Sequence, residues 1–380
     1  MTDRKRIRRL VLPVAGLAWV LSGAAYGAVV GANGVVTTRV QEQQNGEPGS
    51  VTSDQESLGE AGAEFPLNAS AALDSTDLEG AIVSLAEGLS RLDDPTRLDD
   101  PNPREFGLES CCYSDAESIS YVITSDAEET RTVLFTTAGN PAAPPEIEFG
   151  PALTADVESR VFLSGAMLLW SKDPDTPTDD LVAALTVGIS RGDTGDVLFS
   201  ANTTVFGSGS TIGDPETTGP IVVERVNLAD LAELGLDDAS LNVLKSVADS
   251  GSLAVFVIPQ QSHAYEYTVT ANEPLDLMAR LEATVKNVPA GTGVAATWGR
   301  PFTNVVDFVE RGLPGVDGPA LQQALNKAME TGLPSGTPDE TGQVRDPFAL
   351  PCGAFGFGGL ALFAGAWPIL RLGRSTLRRF

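Results

Sequence analysis

Leu181-Val182-Ala183-Ala184-Leu185-Thr186-Val187-Gly188-Ile189-Ser190 is the stretch that decides the fold class. Leu181, Ala183, Leu185, Val187 and Ile189 share one phase of a period-two pattern, as in a strand with one buried face. The run RLEATVKNV at 280–288 repeats the pattern. Leu281, Ala283 and Val285 face one way there, and Glu282, Thr284 and Lys286 the other. Working outward, similar runs recur between clusters of Gly, Pro, Asp and Asn from Ser118 to about Trp298: SISYVITS, TRTVLFTT, SRVFLSGAMLLW, DVLFSANTTVF, PIVVERV, SLAVFVIP and AYEYTVTA. About nine to eleven strands joined by turn signals predict a mainly β chain, an antiparallel β-sandwich of jelly-roll-like type with a few short helices. No strand–helix–strand alternation is present, which excludes a doubly wound sheet.

The β-sandwich domain is placed at 118–300, with a helical insertion at 227–250. There Asn227 caps a turn holding Leu228, Leu231 and Leu234 and stopped by Gly235, and Asp238 caps a second with Leu241, Leu244 and Val247. A helical segment at 301–331 carries Val305, Phe308 and Val309. Pro319 then opens a helix through Leu321, Ala324, Leu325, Ala328 and Met329, closed by Gly332. Upstream, residues 33–73 are rich in Gln, Gly, Ser, Glu and Ala and read as a flexible spacer. Residues 74–117 read as a Thr76–Glu79 capping box, an amphipathic helix on Leu78, Ile82, Leu85, Leu89 and Leu92, and an Asp/Pro-rich linker with the duplication RLDDP at 91–95 and 97–101. Residues 332–350 form a Gly/Pro-rich stalk.

The termini carry the location. Residues 1–9 hold five basic side chains and one acid, and an apolar run from Leu10 to Ala32 follows. This is the layout of an export signal over residues 1–32, either cleaved at Ala25-Tyr26-Gly27 or Val30-Gly31-Ala32, or kept as a signal anchor. At the other end no charge lies between Ala354 and Leu370, and Arg371, Arg374, Arg378 and Arg379 follow as a cytoplasmic flank. Pro351-Cys352-Gly353 stands directly before this segment. The three parts together, over residues 351–380, resemble the C-terminal sorting signals of the exosortase, archaeosortase and myxosortase systems, in their cysteine-containing form. That resemblance implies processing or lipid attachment at Cys352 and removal of the apolar tail. The alternative is a transmembrane helix that stays. Export and sorting machinery and the membrane are the partners expected, and the cell surface is the location.

The chain has 380 residues with 51 acidic and 25 basic side chains, a net charge of -26. That balance excludes a nucleic-acid binder, which needs a basic footprint. Between Leu10 and Leu370 there are 16 basic against 50 acidic residues. An acid-rich, lysine-poor surface of this kind suits high salt, or simply keeps a secreted protein soluble.

Candidate chemistry is sparse. The single histidine, His263, is in phase with Tyr265, Tyr267 and Val269, with Ser262 on the opposite face, and no Gly-x-Ser-x-Gly elbow accompanies it. Cys111 and Cys112 are adjacent and are candidates for a vicinal disulfide or local link. Asp173, Asp175, Asp179 and Asp180 crowd the loop SKDPDTPTDD, a loose calcium candidate whose spacing is not that of an EF-hand. Arg191-Gly192-Asp193 is read as ordinary turn chemistry. No catalytic residue is assigned and no cofactor is expected beyond Ca2+. The function expected is a structural or adhesive envelope module. The alternatives are a carbohydrate- or calcium-binding surface module, for which Trp170 and Trp298 would have to be exposed, and a glycoside hydrolase using paired carboxylates.

Overall fold

The computed structural model describes residues 25–57, 67–77, 82–92, 104–115, 121–136, 147–176, 178–179, 181–286, 290–299 and 304–334. These form two antiparallel sheets and a layer of helices. The first sheet is built on β1 (Ala25–Gln44), β2 (Glu47–Ser57), β6 (Tyr121–Thr136), β9 (Val182–Arg191), β10 (Val197–Ser208) and β15 (Pro274–Lys286). Short β11 (Thr211–Ile212) and β12 (Glu216–Thr218) border β10, and β7 (Ile147–Phe149) pairs with the start of β1. The order is β11-β10-β9-β15-β6-β1-β2. The second sheet joins β3 (Leu67–Asp77), β4 (Ile82–Leu92), β5 (Arg104–Ser114), β8 (Thr154–Ser171), β13 (Glu224–Val226), β14 (Ser252–Thr270) and β16 (Thr292–Trp298), in the order β13-β14-β8-β16-β5-β4-β3.

Why these residues form these strands is plain in β9, where Leu181, Ala183, Leu185, Val187 and Ile189 are all buried between the sheets. Leu281, Ala283 and Val285 of β15 join them from the neighbouring strand. The second sheet is covered on both faces, and its central strands therefore read as continuous apolar runs. Ala166 to Trp170 and Ala254 to Ile258 are buried without a break. Within β8, Met167 and Leu169 enter the core between the sheets, and Ala166, Leu168 and Trp170 enter a second core under the helices.

The helices are α1 (Leu228–Leu234), α2 (Asp238–Ser250), α3 (Asn304–Gly312) and α4 (Gly318–Thr331). Asn227 and Asp230 form a reciprocal capping box on α1, and Gly235 ends it at φ 109. α1 and α2 fall within 227–250, and α3 and α4 within 301–331. The cap of α2 is Asp237, one residue before the expected Asp238, because the Asp237 carboxylate accepts from the Ser240 backbone N–H at 2.9 Å. Leu231, Leu244, Val305, Phe308, Leu321 and Leu325 face the second sheet.

The spacer expected at 33–73 is instead largely sheet: β1, β2 and β3 occupy most of it. Composition misreads it because several buried positions of β1 are polar or small. Gly34, Thr38, Val40 and Glu42 are buried, and Arg39 between them is exposed. The amphipathic helix expected within 74–117 is strand β4, followed by β5. Leu85 of β4 lies in the helix-side core. The sandwich thus begins well before residue 118. Among the described residues no helix is long and apolar enough to cross a membrane. The apolar run from Leu10 to Ala24, the stalk beyond residue 334 and the tail with Pro351, Cys352, Gly353, Arg371, Arg374, Arg378 and Arg379 lie outside the described residues.

Candidate functional site

The outer face of the first sheet is the one broad β-face among the described residues that no helix covers. Register alignment produces a cross-strand row of Asn202, Thr186, Glu282, Asp126, Arg39 and Ser53. Glu282 and Asp126 stand directly opposite each other, an arrangement that repels unless a cation intervenes. Arg280 supplies it: its Nη2 lies 3.2 Å from Glu282 Oε2 and 3.9 Å from Asp126 Oδ2. Burial pushes the Asp126 carboxyl up from its ordinary range, with Arg280 and then Arg39 pulling against it. Arg39 donates to Gln41 Oε1 at 2.8 Å. Asn202 Nδ2 donates to Thr186 Oγ1 at 2.8 Å, and the hydroxyls of Thr124 and Thr284 lie 3.1 Å apart.

Arg39, Gln41, Gln43, Val122, Thr124, Asp126 and Arg280 line a shallow groove of about 150 Å³ on this face. Small-molecule sites commonly enclose roughly 300–1,000 Å³ and are mostly apolar. This groove is smaller, polar and without an aromatic wall. It offers a flat array of donors and acceptors rather than an enclosed reaction chamber. The outward phase of Glu282, Thr284 and Lys286 is readable in the sequence, but the arrival of Asp126 and Arg39 beside them depends on long-range pairing that periodicity does not encode.

The residues singled out from sequence are dispersed. His263 is in phase with buried Tyr265 and Tyr267, as expected, and its ring stacks on Phe199 with centroids 5.5 Å apart. Its Nε2 lies 3.0 Å from Gln261 Oε1, and burial lowers its pKa. Gln261 also holds the backbone of Val222 through its amide, so the histidine belongs to a structural clamp.

Cys111 and Cys112 are both buried. Adjacent side chains on a strand point to opposite faces. Cys111 faces the helix-side core and Cys112 the core between the sheets. Burial, then the nearby Glu109 carboxylate, pushes the Cys111 thiol well up, away from thiolate reactivity.

In the acidic loop, Asp173 Oδ1 accepts from the Asp175 backbone N–H at 2.9 Å, and Asp179 Oδ1 from that of Gly209 at 2.7 Å. Asp180 lies outside the described residues. Among the described residues no three His, Cys, Asp or Glu side chains gather as a metal-binding group. The Arg191-Gly192-Asp193 tripeptide is closed on itself: the guanidinium grips the Asp193 carboxylate at 3.0 and 2.6 Å and holds its pKa down. Trp170 and Trp298 are 0% and 1% exposed, so neither forms a sugar-stacking platform.

No family model matches the chain. No curated protein matches it either. Among solved structures, the infectious bursal disease virus Gx strain aligns at 9% identity over 72% of this chain and 62% of its own, with a TM-score of 0.10. The VP2 subviral particle of that virus aligns at 10% identity over 74% and 63%, also at 0.10. The virus-derived T=1 particles align at 10% identity over 79% and 74%, at 0.11. The chain thus spans 62% and 63% of the first two. Scores this low carry no argument about fold or role.

Proposed function

We propose that this chain is an exported, membrane-anchored protein of the cell envelope, whose jelly-roll-like sandwich has a structural or adhesive role. One observation carries the reading. Apolar segments at both ends, each bordered by arginines, enclose a body with 16 basic against 50 acidic residues between Leu10 and Leu370. The basic flanks stay cytoplasmic and the anionic body crosses. The tail from Pro351 then serves as a sorting signal processed at Cys352, or as a helix that remains. The non-catalytic part of the reading draws support from the side chains themselves. The lone imidazole belongs to a clamp, Cys111 and Cys112 are buried, and both strand-region tryptophans are core.

The experiment is fractionation of the full chain from its own cells, with mass spectrometry of both mature termini. Recovery in the envelope, with a chain that ends near Cys352 or remains in the membrane through its tail, is the expected result. Full-length protein dissolved in cytosol with both ends intact would overturn it.

The polar row on the first sheet favours a second reading, a glycan-contacting face. A glycan array would register it, with Arg39→Ala and Arg280→Ala abolishing the signal. Binding unaffected by both substitutions would place the contact elsewhere.

A further inference from the structure

We infer that Asn202 is a site of N-linked glycosylation, so that the outer face of the first sheet carries a glycan of the protein's own. The inference rests on the export reading above, because this motif is an acceptor on exported chains. Asn202-Thr203-Thr204 is an Asn-x-Thr acceptor sequence. Three-residue motifs recur by chance, and the placement of this one is what distinguishes it. In β10 Ala201, Thr203 and Val205 are buried, and Asn202 and Thr204 alternate with them on the outer face, each half-buried. The strand therefore puts the acceptor amide and the hydroxyl two residues on at one side of the sheet. Thr204 Oγ1 donates to Asn202 Oδ1 at 3.2 Å, so the motif's hydroxyl engages the acceptor amide. Asn202 Nδ2 donates to Thr186 Oγ1 at 2.8 Å. That bond uses one of two amide hydrogens, and a sugar replaces the other. The linkage leaves the bond to Thr186 in place.

The surroundings of Asn202 leave room for a sugar. Thr186 of β9 and Thr218 of β12 are its cross-strand neighbours, and Ala184 and Gly188 flank Thr186 on the same face. All are short side chains. A Cβ at Gly188 would meet nothing within 4 Å, so the space above β9 is open. On the other side β12 is three exposed residues long, which sets Asn202 one strand from the sheet edge. Two strand spacings inward, about 10 Å away, Arg280 and Glu282 of β15 offer donors and acceptors to the innermost sugars. The step is a displacement. Asn202 Nδ2 bonds to the anomeric carbon of an oligosaccharide carried on a polyprenyl phosphate lipid. The C–O bond to that phosphate breaks, the lipid phosphate leaves with the electron pair, and one Nδ2 proton passes to a base of the transferase. Nothing is oxidised or reduced. Transfer precedes the pairing of β10 with β9 and β12, because a paired strand cannot enter a transferase, and the finished sheet holds the linkage on its wet side.

Tryptic mass spectrometry of the full chain, purified from the envelope of its own cells, tests this. The peptide Gly192–Arg225 contains Asn202 and no other asparagine. It should carry a sugar mass, and an amidase that releases N-linked glycans should convert Asn202 to aspartate. Asn202→Gln and Thr204→Val should each abolish the added mass, and Thr204→Ser, which keeps the hydroxyl, should retain it. The threonine pair keeps the test decisive if Asn202→Gln fails to accumulate. Envelope protein whose Gly192–Arg225 peptide is entirely unmodified would overturn the assignment and leave the export reading standing. Sugar on this peptide that survives Asn202→Gln or Thr204→Val would also overturn it. Unmodified full-length chain confined to the cytosol would overturn both.

Discussion

The two cores of this molecule each close around a tryptophan, and they hold it by different means. Trp298, in the core between the sheets, donates its indole N–H to the carbonyls of Thr186 and Glu282, both at 3.1 Å, and so pins the second sheet to the first. Trp170, in the helix-side core, has no hydrogen-bond partner for its Nε1. It is held by packing alone, with the Phe308 ring centroid at 4.5 Å and that of Tyr113 at 6.4 Å. Gly293 and Gly312 pass so close to its ring that a Cβ at either would collide with it. The lesson is that the helices are attached by shape complementarity, whereas the two sheets are also keyed together by directed bonds.

The sharpest way to break this contrast is to empty each core. Trp170→Ala and Trp298→Ala should each cost about 3–5 kcal/mol, read by denaturant titration. A cost below about 1 kcal/mol at either site would mean that core is not packed as described. Replacing each tryptophan by phenylalanine separates the mechanisms. Trp298→Phe should cost roughly 1 kcal/mol more than Trp170→Phe, because only the former loses hydrogen bonds. Equal costs would erase the distinction. Next in size is the cap of α2: Asp237→Ala should destabilise by about 1 kcal/mol in thermal unfolding, through loss of the bond to the Ser240 N–H.

A smaller effect concerns pH. Burial lowers the folded-state pKa of His263, so the unfolded chain binds the proton more readily. Its contribution to stability is present above the unfolded value and is lost as pH falls through the folded one. Stability measured from about pH 7 to pH 5 should therefore fall less steeply in His263→Gln than in the parent. Smallest of all, Arg280→Ala on the wet face should change stability by no more than about 0.5 kcal/mol, since its bridge is largely solvent-screened. A large loss there would make the outer face part of the fold's foundation.

Legibility in the sequence followed solvent exposure. β9 and β15 have one wet face and one dry face, and their alternation marks both the strand and its buried side. β8 and β14 are dry on both faces where they run under the helices, so the runs GAMLLW and LAVFVI identify strands without saying which residue enters which core. β1 was hidden because Thr38 and Glu42 are buried polar residues within a stretch of spacer-like composition. β4 was hidden because its leucines are spaced as they would be on one face of a helix. Helix caps were legible to within one residue, since Asn227 and Asp237 act locally. The outer-face cluster of Arg39, Asp126, Arg280 and Glu282 was not, because it joins strands β1, β6 and β15, far apart along the chain.

Cys111 and Cys112 sit back to back on β5, one sulfur under the helices and the other between the sheets. Many small secreted domains depend on an oxidising exterior to stay folded. In this body each sulfur is embedded in its own packed core, and a solvent-borne reagent reaches either only after that core opens.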